Sequence, residues 1–360
     1  MAGTSSGVGK TTVATGLMAA LRRRGVRVAG AKVGPDFIDP GYHALATGRP
    51  GRNLDPWLCG ESVIPALAAR AAAGSQLLII EGVMGLFDGA GSTSVASTAH
   101  VATMLRAPVV LVVDASSVSA SVAAVVHGFA TFDPAVAIAG VVLNRVGSDR
   151  HEALLRSALA PLGIPVVGAV RRDDGVGWRD RHLGLVPVVE RSREVQASLD
   201  RLASVIATQV DVDLIHRLAL AAPAVAAPPP PAAVPGGRCR IGVAAGPAFS
   251  FGYADNLELL VEAGAELIPF DPLRDPALPP SIDGLIAGGG FPEVYAADLA
   301  DNRSLLADTR RQVADGLVTW AECGGLLWLG HRLDGHRLCG AIETRGQMTD
   351  RRTLGYRTAT

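Results

Sequence analysis

Apolar positions along this chain follow two patterns. Residues 26–33, 76–83, 108–114, 138–146 and 164–170 are nearly unbroken apolar runs of strand length, as expected for strands buried on both faces of a sheet. Residues 13–24, 118–129 and 151–162 carry helical spacing, and 193–220 reads as one longer helix. Strands alternating with helices predict an α/β fold with a mostly parallel sheet covered on both sides. Beyond residue 237 the alternation restarts, with strands at 240–244, 266–270, 284–287 and 317–321 and helices at 256–263 and 303–315. Between the two series lies 221–237, where Pro228, Pro229, Pro230 and Pro231 rule out regular helix or central strand and predict a stiff linker. The expected division is therefore a domain at 1–220, a linker at 221–237 and a domain at 238–360.

Composition narrows the picture without redirecting it. Of the 360 residues 49% are apolar and 19% charged, which excludes a disordered chain, and the net charge of -1 gives no reason to expect a nucleic-acid or anionic-membrane partner. No apolar run reaches transmembrane length and the N-terminus lacks the form of a signal peptide, so a cytoplasmic protein is expected. Cys59, Cys239, Cys323 and Cys339 form no C-x-x-C pair and read as reduced thiols. A homodimer is one assembly left open.

Candidate chemistry gathers at strand ends. Gly3-Thr4-Ser5-Ser6-Gly7-Val8-Gly9-Lys10-Thr11-Thr12 precedes the first helix. Small residues such as Gly7 and Gly9 let backbone N–H groups face phosphate oxygens, Lys10 supplies a cation, and Thr11 supplies a hydroxyl for Mg²⁺, with Thr12 beside it. The loop departs from the common G-x-x-x-x-G-K-[ST] spacing, because Thr4 stands at the first position and Gly3 one step further out. After the second strand, Asp36 and Asp39 lie in a polar stretch between Pro35 and Pro40, where open α/β sheets place their ligands. The alternative is a turn in which both carboxylates only cap backbone N–H groups. Residues 53–56 read as a second turn of that kind. Glu81 ends an apolar strand and suits Mg²⁺ opposite Thr11, or is simply solvated. Asn144-Arg145 can read an adenine edge or make a turn. The charged stretch 171–181 suits an acidic ligand or solvent equally. In the second series a strand stops at Cys323, Gly324 and Gly325 follow, and an apolar helix begins. This is the layout of a nucleophile elbow, with Gly288, Gly289 and Gly290 as nearby backbone donors for an oxyanion. A buried structural cysteine is the alternative.

Taken together, these stretches resemble the cobyrinate/hydrogenobyrinate a,c-diamide synthases, glutamine-dependent amidoligases of cobalamin biosynthesis. The resemblance covers nearly the whole chain and rests on residues 3–12, 32–43, 53–56, 81–89, 288–293 and 321–325. It implies a P-loop NTPase domain similar to dethiobiotin synthetase, followed by a class I glutamine amidotransferase-like domain whose C-terminal part is missing. It further implies a ligase that forms C–N bonds with glutamine as amido donor, ATP and Mg²⁺ as cofactors, and a corrinoid plus glutamine or ammonia as the molecules it meets. In that reading ATP phosphorylates the c and then the a side-chain carboxylate, and ammonia displaces phosphate. Asp36, Asp39 and Asp88 match positions around metal and acyl-phosphate chemistry. Gly7, Gly9, Lys10, Thr11, Thr12 and Asn144 match nucleotide contacts, and Thr11, Asp39 and Glu81 match metal ligands. Phe37, Ile38, Tyr42 and His43 match substrate contacts, Cys323 the nucleophile, and Gly289 and Gly290 the oxyanion donors. Class I domains carry a catalytic His well downstream of the nucleophile, and His331 and His336 lie close to the elbow helix. A chain ending soon after Gly355-Tyr356-Arg357 is therefore expected to run on free ammonia. A dethiobiotin-synthetase-like ligase, a partitioning-type ATPase switch and a cobyric acid synthase are the competing readings.

Overall fold

The computed structural model describes residues 1–172, 180–181, 184–185, 192–225, 238–349 and 355–358. It divides into two compact units, Met1–Pro229 with Gly355–Thr360, and Pro230–Leu354. Most of the proline-rich stretch and most of the charged loop at 171–181 lie outside the described residues.

The first unit runs β1 (Ala2–Gly3), α1 (Lys10–Arg23), β2 (Val28–Val33), α2 (Asp39–Thr47), β3 (Arg52–Leu54), α3 (Pro56–Cys59), α4 (Ile64–Ala72), β4 (Leu77–Glu81) and α5 (Thr98–Leu105). It continues with β5 (Val109–Asp114), α6 (Ser121–Phe132), β6 (Ile138–Val146), α7 (Asp149–Leu159), β7 (Val166–Arg171), a short antiparallel pair β8 (Asp180–Arg181) and β9 (Gly184–Leu185), α8 (Ser192–Gln209) and α9 (Val212–Leu220). Parallel strands form two runs, β3-β2-β4 and β1-β5-β6-β7. Met1 joins them, because its ammonium donates to Ile80 O at 2.7 Å and Gly82 N donates to Met1 O at 2.8 Å. The first phosphate-loop strand thus lies between the two runs, at the switch point where open α/β sheets bind ligands.

The continuous apolar runs are explained by burial on both faces. Val110, Val112 and Val142 pack with Leu17 and Met18 of α1 and Leu202 and Ile206 of α8, while Leu111, Val113 and Leu143 pack with Val122, Val126 and Leu155 of α6 and α7. Successive strand residues point to opposite faces, and both faces are apolar.

Three expectations need correction. Residues 53–56 are not a free turn, because Arg52–Leu54 is a strand and Asp55 caps α3 by accepting from Trp57 N and Leu58 N. The polar stretch after Pro35 opens helix α2, with Asp39 as its first residue. The long helix expected at 193–220 breaks at Val210-Asp211. There Asp211 N donates to Val167 O at 2.7 Å and the Asp211 carboxylate caps α9 through Leu214 N at 2.8 Å, so strand pairing and a new cap replace two helical bonds.

The second unit contains β10 (Cys239–Ala244), α10 (Ala254–Glu262), β11 (Ala265–Phe270), β12 (Gly284–Ala287), α11 (Ala296–Asp301), α12 (Arg303–Ala314), β13 (Val318–Ala321) and α13 (Gly324–Leu329). Its parallel sheet has the order β11-β10-β12-β13, and a small sheet of β14 (Arg332–Leu333), β15 (His336–Arg337) and β16 (Arg345–Gly346) follows. Trp328, fully buried, packs against Phe249 and Phe270 at the centre of this core. No helix of the described residues is long and apolar enough to cross a membrane.

Asp211→Ala is expected to destabilise the first unit by about 1 kcal/mol, the cost of a lost helix cap. Urea unfolding followed by far-ultraviolet circular dichroism checks this.

Candidate active site

The loop between β1 and α1 occupies residues 4–9. Gly9 lies at φ 96°, and a Cβ there would stand 2.2 Å from Asn144 Nδ2, so both conformation and space demand glycine. No side chain caps α1, which leaves its first-turn N–H groups directed at whatever anion the loop encloses. Thr12 sits half-buried in that turn. Lys10 is buried, its Nζ donating to Ser5 O at 3.0 Å. Burial, then repulsion from Lys32, pulls its ammonium down to about 8.

In front of Lys10 and Thr11 lies a buried network that the sequence reading only half anticipated. Thr11 Oγ1 donates to Glu81 Oε1 at 2.6 Å and lies 3.3 Å from Asp39 Oδ2. Between the two carboxylates sits Lys32, with Nζ 2.5 Å from Asp39 Oδ2 and 2.9 Å from Glu81 Oε1. Parallel pairing of β2 with β4 puts Lys32 and Glu81 in register. Burial opposes the charge on both, but each outweighs it for the other: Glu81 and Asp39 push the lysine up, and Lys32 with His43 holds Glu81 down. Asp39 goes the opposite way, to about 7, because burial and the Glu81 charge exceed what the shared lysine supplies.

The donor set of one hydroxyl and two carboxylates consists of hard oxygens with excess negative charge, and it fits Mg²⁺ bound together with nucleotide phosphates. Among the described residues no three His, Cys, Asp or Glu side chains form a protein-only metal cage, and a phosphate-dependent Mg²⁺ site does not need one.

Other assignments move. His43 and Tyr42, expected as substrate contacts, are fully buried on α2, and His43 Nε2 lies 2.7 Å from Glu81 Oε2. Asp36 behaves as the turn alternative required, its Oδ1 accepting from Ile38 N and Asp39 N at 2.7 and 2.9 Å, whereas Asp39 caps nothing and faces Lys32. Phe37 is half-buried and Ile38 buried within that turn. Asp88 is exposed, with Oδ2 accepting from Gly85 N at 2.7 Å. Asn144 does not present an open amide edge. It is buried behind the phosphate loop and donates to Val8 O at 2.8 Å, while Arg145, at φ 60°, pairs with Asp114 and donates to Gly7 O at 3.0 Å. Lys32 escaped the sequence reading because one lysine at the end of an apolar strand resembles a solvated strand tip.

In the second unit Cys323 is exposed at the N-cap of α13 with φ 49° and ψ -113°, a strained conformation for a residue with a Cβ. A Cβ on Gly325 would approach Ala287 O to 1.9 Å, so the turn closes only with glycine there. Gly289 N–H donates to Phe251 O at 3.2 Å, whereas Gly290 N lies beside Gly324. His331 bonds Glu343 at 3.2 Å beyond the far end of α13, about 10 Å of helix away from Cys323.

Fold and site together define a phosphate-loop nucleotide-binding unit joined in one chain to a unit with a cysteine elbow. Residues 1–186 match the CobQ/CobB/MinD/ParA nucleotide binding domain, and residues 240–360 match the CobB/CobQ-like glutamine amidotransferase domain. The hydrogenobyrinate a,c-diamide synthase of Streptomyces coelicolor is 49% identical over 394 aligned residues, covering 100% of this chain and 81% of that protein. That of Thermobifida fusca is 50% identical over 99% of this chain and 78% of its own length, and the cobyrinate a,c-diamide synthase of a Synechococcus strain is 45% identical over 100% and 81%. The chain belongs to the hydrogenobyrinate/cobyrinate a,c-diamide synthase family.

Lys32→Met is expected to destabilise the first unit by about 3–5 kcal/mol, the cost of breaking a buried ion pair from one side. Adding Glu81→Gln should recover part of that loss, since it removes the stranded charge. Chemical denaturation of the single and double variants tests the pairing, and equal losses in both would refute it.

Proposed function

We infer that the chain amidates the a and c side-chain carboxylates of hydrogenobyrinate or cobyrinate, using ATP and nitrogen from glutamine, in cobalamin biosynthesis. The observation that carries the chemistry is the convergence of Thr11 and Lys32 on the Asp39 and Glu81 carboxylates at the mouth of the phosphate loop. The family relatives supply the substrate class.

A carboxylate is a poor electrophile until one oxygen becomes a phosphate leaving group. Catalysis in the first unit therefore consists of positioning and charge neutralisation. Lys10 and the N–H groups of α1 hold phosphate oxygens. Thr11, Asp39 and Glu81 would hold Mg²⁺, which would supply positive charge to neutralise the transferring phosphoryl group. Lys32 sits between Asp39 and Glu81 and favours the ionised form of Glu81, and His43 fixes the Glu81 carboxylate from behind. Asp36 holds the turn that carries Phe37 and Ile38, which form the wall toward the acceptor, and Asp88 lies at the loop that follows β4. The acceptor oxygen attacks the terminal phosphorus of ATP and ADP leaves. Ammonia then adds to the acyl carbon, phosphate departs, and a proton is lost to give the amide. In the second unit the Cys323 thiolate attacks the amide carbon of glutamine, releasing ammonia and leaving a thioester that water resolves to glutamate. The ATP step is assigned to 1–220 and the glutamine step to 238–360.

A partitioning-type switch predicts ATP turnover that responds to a protein or membrane surface instead of a corrinoid. Mass spectrometry of each corrinoid incubated with the chain, ATP, Mg²⁺ and ammonia distinguishes the two, and one or two hydroxyl-to-amino exchanges are expected. Lys10→Ala and Asp39→Ala should each lower amide formation by at least about a hundredfold, on the scale of lost transition-state charge stabilisation. Unchanged amide formation in either variant ends this reading. Cys323→Ala should leave ammonia-driven amidation intact, since only glutamine cleavage needs the thiolate.

A further inference from the structure

Asp55 is 2% exposed, and both its oxygens are used. Oδ1 caps α3, and Oδ2 accepts from the Tyr356 hydroxyl at 2.8 Å. The Tyr356 ring stacks on Trp57, with centroids 4.7 Å apart and planes at 26°. Gly355–Thr360 cluster with the first unit, so this contact is internal to it. The same hydroxyl lies 3.8 Å from where a Cβ on Gly34 would stand. Gly34 opens the turn that carries Asp36, Phe37, Ile38 and Asp39.

Three further bonds tie that turn to β3. Gly34 N donates to Leu54 O at 3.0 Å, and Asn53 Nδ2 donates to both Gly34 O at 2.9 Å and Asp36 O at 2.7 Å. The backbone of the turn therefore rests on Asn53 and Leu54, immediately before Asp55, and Asp55 is held in turn by a phenol from a residue 301 positions along the chain. A buried carboxylate that loses a donor must be resolvated, and its surroundings shift to allow it.

We propose that Tyr356 is a positioning residue for the acceptor: by holding Asp55 and covering Gly34 it fixes the turn at 34–39, and so sets affinity for the corrinoid but not for ATP. This rests on the reading of Phe37 and Ile38 as the acceptor wall. It assigns a part in the ATP-dependent step to a side chain remote in sequence from every phosphate-loop motif.

Tyr356→Phe keeps the stack on Trp57 and removes only the hydroxyl, so the fold is retained. In the 360-residue protein without ligands, amide hydrogen exchange in a peptide covering 34–39 should quicken by about threefold or more, while exchange at the α1 N-terminus stays unchanged. Unchanged exchange at 34–39 overturns the proposal whether or not the chain amidates corrinoids. In steady-state assays with ammonia, the KM for corrinoid should rise about three- to tenfold, the range for the net loss of one intramolecular hydrogen bond, with the KM for ATP unchanged. A parallel rise in both KM values, or a fall in kcat alone, overturns it as a merely structural effect. Tyr356→Ala, which also removes the stack, should exceed Tyr356→Phe in both readouts.

Discussion

The active site of the first unit depends on one ammonium shared between two buried carboxylates. Lys32 lies in the middle of a row across three parallel strands, paired in register with Asn53 on β3 and Glu81 on β4. A shift of either strand by one residue would turn that row to the opposite face and bury a charge without a partner, a loss of several kcal/mol. The register is thus locked by polar chemistry, while the apolar residues on either side supply the general attraction. Each member of the row has a separate task. Asn53 holds the turn at 34–36, Lys32 holds Asp39 at the start of α2, and Glu81 reaches Thr11. On the other flank of β1, Asp114 and Asn144 are also in register, and Asn144 with Arg145 braces the phosphate loop from behind. The loop is therefore clamped from both sides by rows of polar side chains at the carboxyl ends of strands.

Charge balance follows from this arrangement. Around the phosphate loop two lysines, Lys10 and Lys32, face Asp36, Asp39, Glu81 and Asp88. The deficit appears in Asp39, whose carboxyl is pushed to about 7 although a lysine touches it. Lys10 feels the opposite pressure from burial and from Lys32.

Much of this was legible in the sequence for identifiable reasons. Buried parallel strands are continuous apolar runs, so β2, β4, β5, β6 and β7 stand out, and the phosphate loop is marked by glycines at positions that no other residue can occupy. Thr11 and Glu81, at a helix start and a strand tip, point to their common task by topology alone. Other features depended on three-dimensional contacts that spacing does not carry. Asp36 and Asp39 look equivalent in sequence, yet one caps a turn and the other completes an ion network, because α2 begins between them. His43 and Tyr42 share the polar stretch but occupy the inner face of that helix. The break at Val210-Asp211 follows from the pairing of Val210 with Gly168 of β7, a contact 42 residues apart.

The second unit stores its chemistry differently. Its key residue carries backbone strain instead of buried charge, since Cys323 adopts a positive φ that a residue with a Cβ disfavours by about 1–3 kcal/mol. That strain is held by neighbours that allow close approach, Gly325 against Ala287 and Gly324 against Gly290. An elbow of this kind is visible in sequence as small residues after a strand. Its oxyanion donors are less so, because a backbone N–H looks the same whether engaged or not, and Gly289 is engaged by Phe251. Charged networks and strained turns thus differ in what they reveal. A turn announces the residue it presents, whereas a buried network conceals the counter-ion that makes it stable, which is why Cys323 could be read from the sequence and Lys32 could not.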